Sequence, residues 1–353
     1  MNVFLKNNLT FFLFLAAASF TTEAATWKTC EGKKINWNGD SASMYISTTS
    51  MPVGGVWEKQ TQYMMSEWNA APGSNFKFYV GRDTDGSTNT NNGKNEIDFK
   101  NKPNESYLGL AQNRWSCYWE FGTHTRYLES DIQMNTKYSW TSGIYDGKVT
   151  SSPYNFRLVM LHELGHTLGL LHQNNQVATM NSNYPNGGSV GHYNTIEPHA
   201  NDLHGLRILY PDNSTGRDVA SSRFKNKGAT SEANQVVYNH STDGSVPTRT
   251  VRRGSKNEIQ YTIENLGAQS ETVPVKFYIS TNSYISKSDK YVGSVTWTMP
   301  AGSHVNAKKA FYIPNDLPIG RYYIGYIVDP DNTIPESSTS NNYVSLLNDF
   351  RIY

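Results

Sequence analysis

The sequence predicts two modules in tandem, an α+β domain followed by an all-β sandwich, on three observations. At 353 residues the chain exceeds what one hydrophobic core usually serves. One long helical signal, Tyr154 to Leu171, sits among short alternating segments in the first 211 residues. Beyond Pro211 no convincing helix remains, and strand-like stretches recur between turn residues.

Charge narrows the functional classes. Thirty-one Lys+Arg against thirty Asp+Glu leave a net charge of +1, and only 17% of residues are charged. A nucleic-acid partner, which calls for a basic surface, is therefore not expected. Aromatics at 13% are too many for an acidic disordered chain.

Residues 1–25 read as a secretory signal peptide, with Lys6 as the positive n-region, an apolar run from Leu9 to Phe20 and small residues up to Ala24 and Ala25. The run is short for a membrane span, an uncleaved anchor being the rival, and no later stretch approaches ~18 apolar residues. The expectation is a secreted chain with no transmembrane segment after cleavage, the periplasm remaining open as its destination. In such an oxidising compartment Cys30 and Cys117 are expected to pair, two free buried thiols being the alternative.

Residues 26–211 form the first module. Alternation marks strands at Lys33 to Trp37, Ser43 to Ser47 and Phe76 to Val80, and helical spacing of Trp57, Tyr63, Met64 and Trp68 marks a helix from Trp57 to Asn69. Residues 81–95 are polar enough for a surface loop. Asp83 and Asp85 there offer oxygens for Ca2+, but without EF-hand spacing the plain reading is a solvated loop and calcium is unsupported. Further strands are expected at Asn95 to Phe99, Tyr107 to Ala111 and Leu128 to Met134. Ser152 and Pro153 suit the N-cap and first position of the long helix, and another helix is expected from Pro198 to about Tyr210. Residues 212–216, DNSTG, suit a linker. In residues 217–353 strands are expected at Glu258 to Glu264, Val273 to Ile279, Tyr291 to Thr298, Lys308 to Ile313 and Tyr322 to Val328, a sandwich rhythm.

The chemistry concentrates in residues 162–172, HELGHTLGLLH. On a helix His162 and His166 stack one turn apart on one face, a spacing that grips one tetrahedral ion. On a continued helix His172 would be rotated from His166 by roughly 240° and displaced by about 9 Å, so it joins them only if the chain bends. Gly169 is the residue that takes positive φ cheaply and ends the helix. Three neutral imidazoles leave zinc one open position for water. Glu163, about 100° round the helix from His162, is placed to exchange protons with that water rather than to ligate. A structural zinc site and metal-free core histidines are the alternatives.

HELGHTLGLLH resembles the HExxHxxGxxH signature of the metzincin zinc metalloendopeptidases, on the matrixin side of the group. VATMN at 177–181 resembles their methionine turn, LGLAQ at 108–112 their edge strand, ESDIQMN at 129–135 the next strand and NDLHGLRILYP at 201–211 their terminal helix. The resemblance implies a metzincin-type α+β catalytic domain, a twisted mixed sheet with about three helices, and one catalytic Zn2+ held by His162, His166 and His172. It implies Glu163 as general base and then acid, and Met180 as an apolar floor beneath the imidazoles. An extended protein or peptide substrate would add to the edge strand Leu108, Gly109, Leu110, Ala111, Gln112. Tyr184 and Tyr193 are candidate oxyanion donors; Tyr184 in NYP also resembles the wall residue of matrixins. Gln173 stands where metzincin subfamilies usually carry Ser, Glu, Asp or Pro, Ser182 stands where astacin-like and serralysin-like members carry Tyr, and no PRCGxPD switch fits between residue 25 and Trp27.

IENLGAQSETVPVKFYIST, SKSDKYVGS and IVDPDNTIPESSTSNNY resemble the CARDB family of Ig-like modules. That resemblance implies either attachment to a substrate or surface, host and cell-surface glycoproteins included, or a plain spacer. Tyr278, Tyr284, Tyr291 and Trp297 are candidates for an aromatic binding face, although alternate ones must fill the sandwich core. The expected function is a secreted zinc endopeptidase. The alternatives are a catalytically inactive adhesion protein and a glycoprotein-directed protease targeted by its C-terminal domain.

Overall fold

The structure is a computed structural model that describes residues 25–84, 88, 91–143, 152–174, 177–182, 184, 196–222, 240–241, 250–345 and 349–353. The expected signal peptide lies, apart from Ala25, outside the described residues. Among the described residues no helix is long and apolar enough to cross a membrane.

A five-stranded sheet organises the first module in the order Lys77–Asp83, Ser41–Ser47, Asn95–Lys100, Thr123–Asn135, Gly109–Trp119. The first four strands run parallel, and the edge strand Gly109–Trp119 is antiparallel to its neighbour. The sheet is therefore mixed, as the sequence implied. Strand Ser41–Ser47 shows the alternation at work: Ala42, Met44 and Ile46 are buried and Ser43 is exposed. Helices α1 (Val56–Asn69) and α2 (Phe156–Thr167) pack together on the sheet. Met64, Met65 and Trp68 of α1 share one core with Phe156, Met160, Leu161 and Leu164 of α2 and with Ile97 and Ile132 of the sheet. Helix α3 (Ala200–Leu209) adds Leu203, Leu206 and Leu209 to that core.

Several boundaries move from their sequence-based positions. The long helix begins at Phe156, not near Tyr154, because Asn155 is its N-cap: the Asn155 side chain accepts from Leu158 N–H at 3.2 Å. Ser152 and Pro153 precede a short strand, Tyr154–Asn155, paired with Trp140–Thr141. The helix also stops at Thr167, four residues short of Leu171, where Gly169 takes φ +101°. Strand Lys77–Asp83 runs three residues into the stretch assigned to a loop. The edge strand and its neighbour form a hairpin longer than expected, 11 and 13 residues. A disulfide, Cys30–Cys117, ties this hairpin to the N-terminal segment.

In the second part of the chain the five strands that alternation located become Lys256–Asn265, Glu271–Ser280, Lys290–Met299, His304–Tyr312 and Gly320–Val328. They divide between two sheets. Tyr261 of one sheet meets Phe277 and Tyr326 of the other at ring-centroid distances of 5.0 and 5.7 Å, and the Tyr326 hydroxyl lies across the interface at 2.8 and 2.7 Å from the Ser222 and Thr262 carbonyls, which share its one proton. This is sandwich packing, with interdigitated aromatic side chains as the core. The stretch read as a linker is irregular, but it is packed: Gly73 N–H donates to Ser214 Oγ at 3.1 Å, and Ala268 N–H to the Gly216 carbonyl at 2.8 Å.

The disulfide closes a sequence separation of 87 residues. In the chain-entropy account such a crosslink restricts the unfolded state strongly. Replacing both cysteines with serine should lower unfolding free energy by about 2–5 kcal/mol in a urea titration. An unchanged midpoint and slope would contradict this.

Candidate metal centre

Helix α2 carries His162 and His166 at a spacing of four residues, and the turn at Gly169 brings His172 back onto them. His172 Nε2 lies 3.2 Å from His162 Nε2 and 3.1 Å from His166 Nε2. The ligand atoms of all three lie within 4.8 Å of one another. The returning chain is pinned by the N-terminal segment: Lys28 N–H donates to the Gly169 carbonyl, Leu171 N–H to the Thr26 carbonyl and Thr26 Oγ1 to the His172 carbonyl.

Two of the imidazoles have a defined tautomer. His162 Nδ1 sits 2.9 Å from the Thr179 carbonyl and His166 Nδ1 2.8 Å from the Leu170 carbonyl. A carbonyl only accepts, so each Nδ1 carries the proton and each Nε2 presents a lone pair to the shared centre. Burial, reinforced by the neighbouring rings, pushes His162 down to about 3, and burial pushes His166 down to about 4. Burial lowers His172 as well. Neutral imidazoles with converging lone pairs repel one another unless a cation lies between them. For Zn–N bonds near 2.05 Å in a tetrahedron, nitrogen atoms stand about 3.3 Å apart. The observed 3.1 and 3.2 Å fit that ion closely.

Glu163 projects from the same helix toward the edge strand. It is 5% exposed. Burial pushes its carboxyl up to about 8, opposed by a hydrogen bond from Ala111 N–H. Its Oε2 is buried, with no hydrogen-bond partner among the described residues. Edge-strand Gly109 lies so close that an added Cβ would stand 2.8 Å from Glu163 Oε1. The edge strand is thus held directly over the helix, and Asn113 Nδ2 fastens it by donating to the His166 carbonyl at 2.8 Å. Of the expected substrate strand, Gly109 to Gln112 lie in strand Gly109–Trp119 and Leu108 immediately precedes it.

Met180 is buried under α2. A Cβ on Gly165 would collide with Met180 Sδ and come within 3.2 Å of Trp68, so the glycine inside the motif lets the methionine turn approach the helix. Asp202 of α3 fixes that turn, accepting from Thr179 N–H at 2.6 Å and Met180 N–H at 3.1 Å. Asp202, Asn113 and Gly165 are site residues that sequence reasoning missed. An acid in the first turn of α3 was the available signal for Asp202.

The remaining candidates fall elsewhere. The Tyr184 hydroxyl accepts from Asn155 N–H at 2.8 Å, at the start of α2, and its ring packs on Tyr154. That place is two helical turns, about 10 Å, before His162. Tyr193 and Asp85 lie outside the described residues, and Asp83 is ion-paired with Lys94.

Comparison with known proteins accords with this geometry. Residues 55–211 match the family model described as Matrixin, and residues 235–346 match that of CARDB. The first part of the chain is thus similar to matrixins and the second to CARDB domains. A stretch of 102 residues is 32% identical to the macrophage metalloelastase of Rattus norvegicus, spanning 29% of this chain and 18% of that protein. Among solved structures, the CARDB domain of a Pyrococcus furiosus protein, in complex with di-metal ions, is 16% identical, covering 40% of this chain and 95% of that one, with a TM-score of 0.26. A β-glucosidase from Listeria innocua is 8% identical, covering 40% of this chain and 17% of that one, with a TM-score of 0.23. Similarity at that level carries no functional argument.

Gly165→Ala should force Met180 away from α2. We expect a loss of about 1–3 kcal/mol of stability by calorimetry, together with weaker zinc retention. A variant as stable as the parent would show that the close approach is not needed.

Proposed function

We propose that the chain is a secreted zinc-dependent endopeptidase that cleaves extended polypeptides. The observation that carries this reading is the convergence of three Nε2 lone pairs beside a buried carboxylate with one uncommitted oxygen. His162, His166 and His172 would hold the ion. When bound, zinc would polarise the scissile carbonyl and favour loss of a proton from water.

The protein's own groups then divide the work. Strand Gly109–Trp119 is at the edge of its sheet, so a substrate can pair with it antiparallel through backbone hydrogen bonds. Gly109 and Ala111, beside Glu163, align the scissile bond with the carboxylate. Glu163 accepts a proton from the attacking water as the new C–O bond forms. It returns that proton to the amide nitrogen as the C–N bond breaks. Burial raises its affinity for the proton, and a cation in the triad lowers it, which moves the group toward the working range of a general acid–base.

Extracellular proteins are the proposed substrates. The Cys30–Cys117 disulfide supports an oxidising destination, together with the signal-like first 25 residues. The C-terminal module is proposed to attach the enzyme to substrate or to surface glycoproteins. Of its four candidate aromatics, Tyr284 and Tyr291 are exposed and suit contact, whereas Tyr278 is buried and Trp297 donates to the Tyr261 hydroxyl.

The test is cleavage of a peptide library with and without a zinc chelator, repeated with Glu163→Gln. We expect chelation to abolish cleavage, and the variant to keep its zinc while losing on the order of 10²–10⁴ in kcat. Undiminished turnover by Glu163→Gln would remove the carboxylate from the chemistry.

A further inference from the structure

A carboxylate from the C-terminal module reaches toward the triad through the interior. Glu264, on strand Lys256–Asn265, is wholly buried. Its Oε1 lies 2.8 Å from His199 Nδ1 and its Oε2 accepts from Ala200 N–H at 2.8 Å. His199 and Ala200 are the N-cap and first residue of α3. A side chain more than sixty residues downstream thus meets the buried donors at that helix start, a place where negative charge is stabilising.

The chain of contacts continues to a ligand. Asp202, in the first turn of α3, accepts from His199 N–H at 3.0 Å with the same Oδ2 that receives Thr179 N–H. The Thr179 carbonyl in turn accepts from His162 Nδ1. Each link from Glu264 to His162 is a hydrogen bond or one residue's own backbone. Side-chain packing follows the same route: Val177, two residues before Thr179, belongs to the core of the C-terminal module, while Leu266 of that module packs into the core of the first. The methionine turn is therefore held from both sides of the boundary.

We propose that Glu264 is a positioning residue for the metal centre, so that the CARDB module helps to build the zinc site rather than only extending the chain. This rests on the zinc peptidase reading above. Removing Glu264's charge would free the start of α3, loosen Asp202 and let the Thr179 carbonyl drift from His162. Outer groups that orient a ligand in this way typically change metal affinity by about 10- to 100-fold.

The experiment is zinc competition against a chromophoric chelator, using the full chain, with thermal unfolding measured in parallel. Glu264→Gln should raise the zinc dissociation constant by about 10-fold or more. Glu264→Asp, which keeps the charge but withdraws it by one methylene, gives the same readout should the glutamine variant not fold. Glu271→Gln is the control for general loosening, since it disrupts the Arg217–Glu271 ion pair elsewhere in the same module. It should leave zinc affinity unchanged even if the melting temperature falls. Unaltered zinc binding in the folded Glu264 variants, or equal weakening by Glu271→Gln, would overturn the proposal. A parent chain that binds no zinc would overturn the peptidase reading beneath it.

Discussion

Three converging imidazole nitrogens define this molecule, with His172 Nε2 standing 3.2 and 3.1 Å from those of His162 and His166. Two of the outer nitrogens are occupied: the Thr179 and Leu170 carbonyls accept from Nδ1 of His162 and His166 and turn the Nε2 lone pairs inward. Such a cluster is unfavourable on its own and becomes favourable around a cation, so binding an ion is linked to holding this fold. Glu163 is the complementary part. It comes from the same helix but faces the edge strand, buried, with an oxygen left for a partner.

Much of the surrounding architecture serves that geometry through absent side chains. Gly169 reverses the backbone so that His172 returns. Gly165 admits the methionine turn to the helix, and Gly109 admits the edge strand to Glu163. Each permits an approach that a methyl group would block. The polar ties then prevent these close contacts from relaxing: Asn113 to the helix, Asp202 to the turn, and the 26–28 segment to the returning chain.

The histidine triad was legible because its convergence depends on local spacing. Four residues of helix set His162 against His166, and a glycine at 169 is needed before a histidine at 172 is useful. The strands of the sandwich were legible for a similar reason, since alternation is a property of consecutive residues. Features that depend on distant partners were not. The start of α2 was misplaced because Ser152 and Pro153 satisfy the local rule for a helix start, whereas Asn155 is selected by its pairing next to Trp140 and Thr141. The length of the edge hairpin reflects a long antiparallel register and a crosslink to Cys30, neither of which alternation reports. Glu264 reads as one more strand residue until the fold places it at His199.

The boundary between the two modules is accordingly less of a division in space than in sequence. Each contributes apolar side chains to the other's core, and the connecting residues are hydrogen-bonded along the way. All of this turns on the ion itself. X-ray absorption at the zinc edge, on protein loaded with one equivalent, tests it most directly. Three imidazole nitrogens near 2.0–2.1 Å with a light oxygen atom completing the shell are the expected result. A shell closed by a fourth protein ligand, or zinc bound without the three imidazoles, would contradict it.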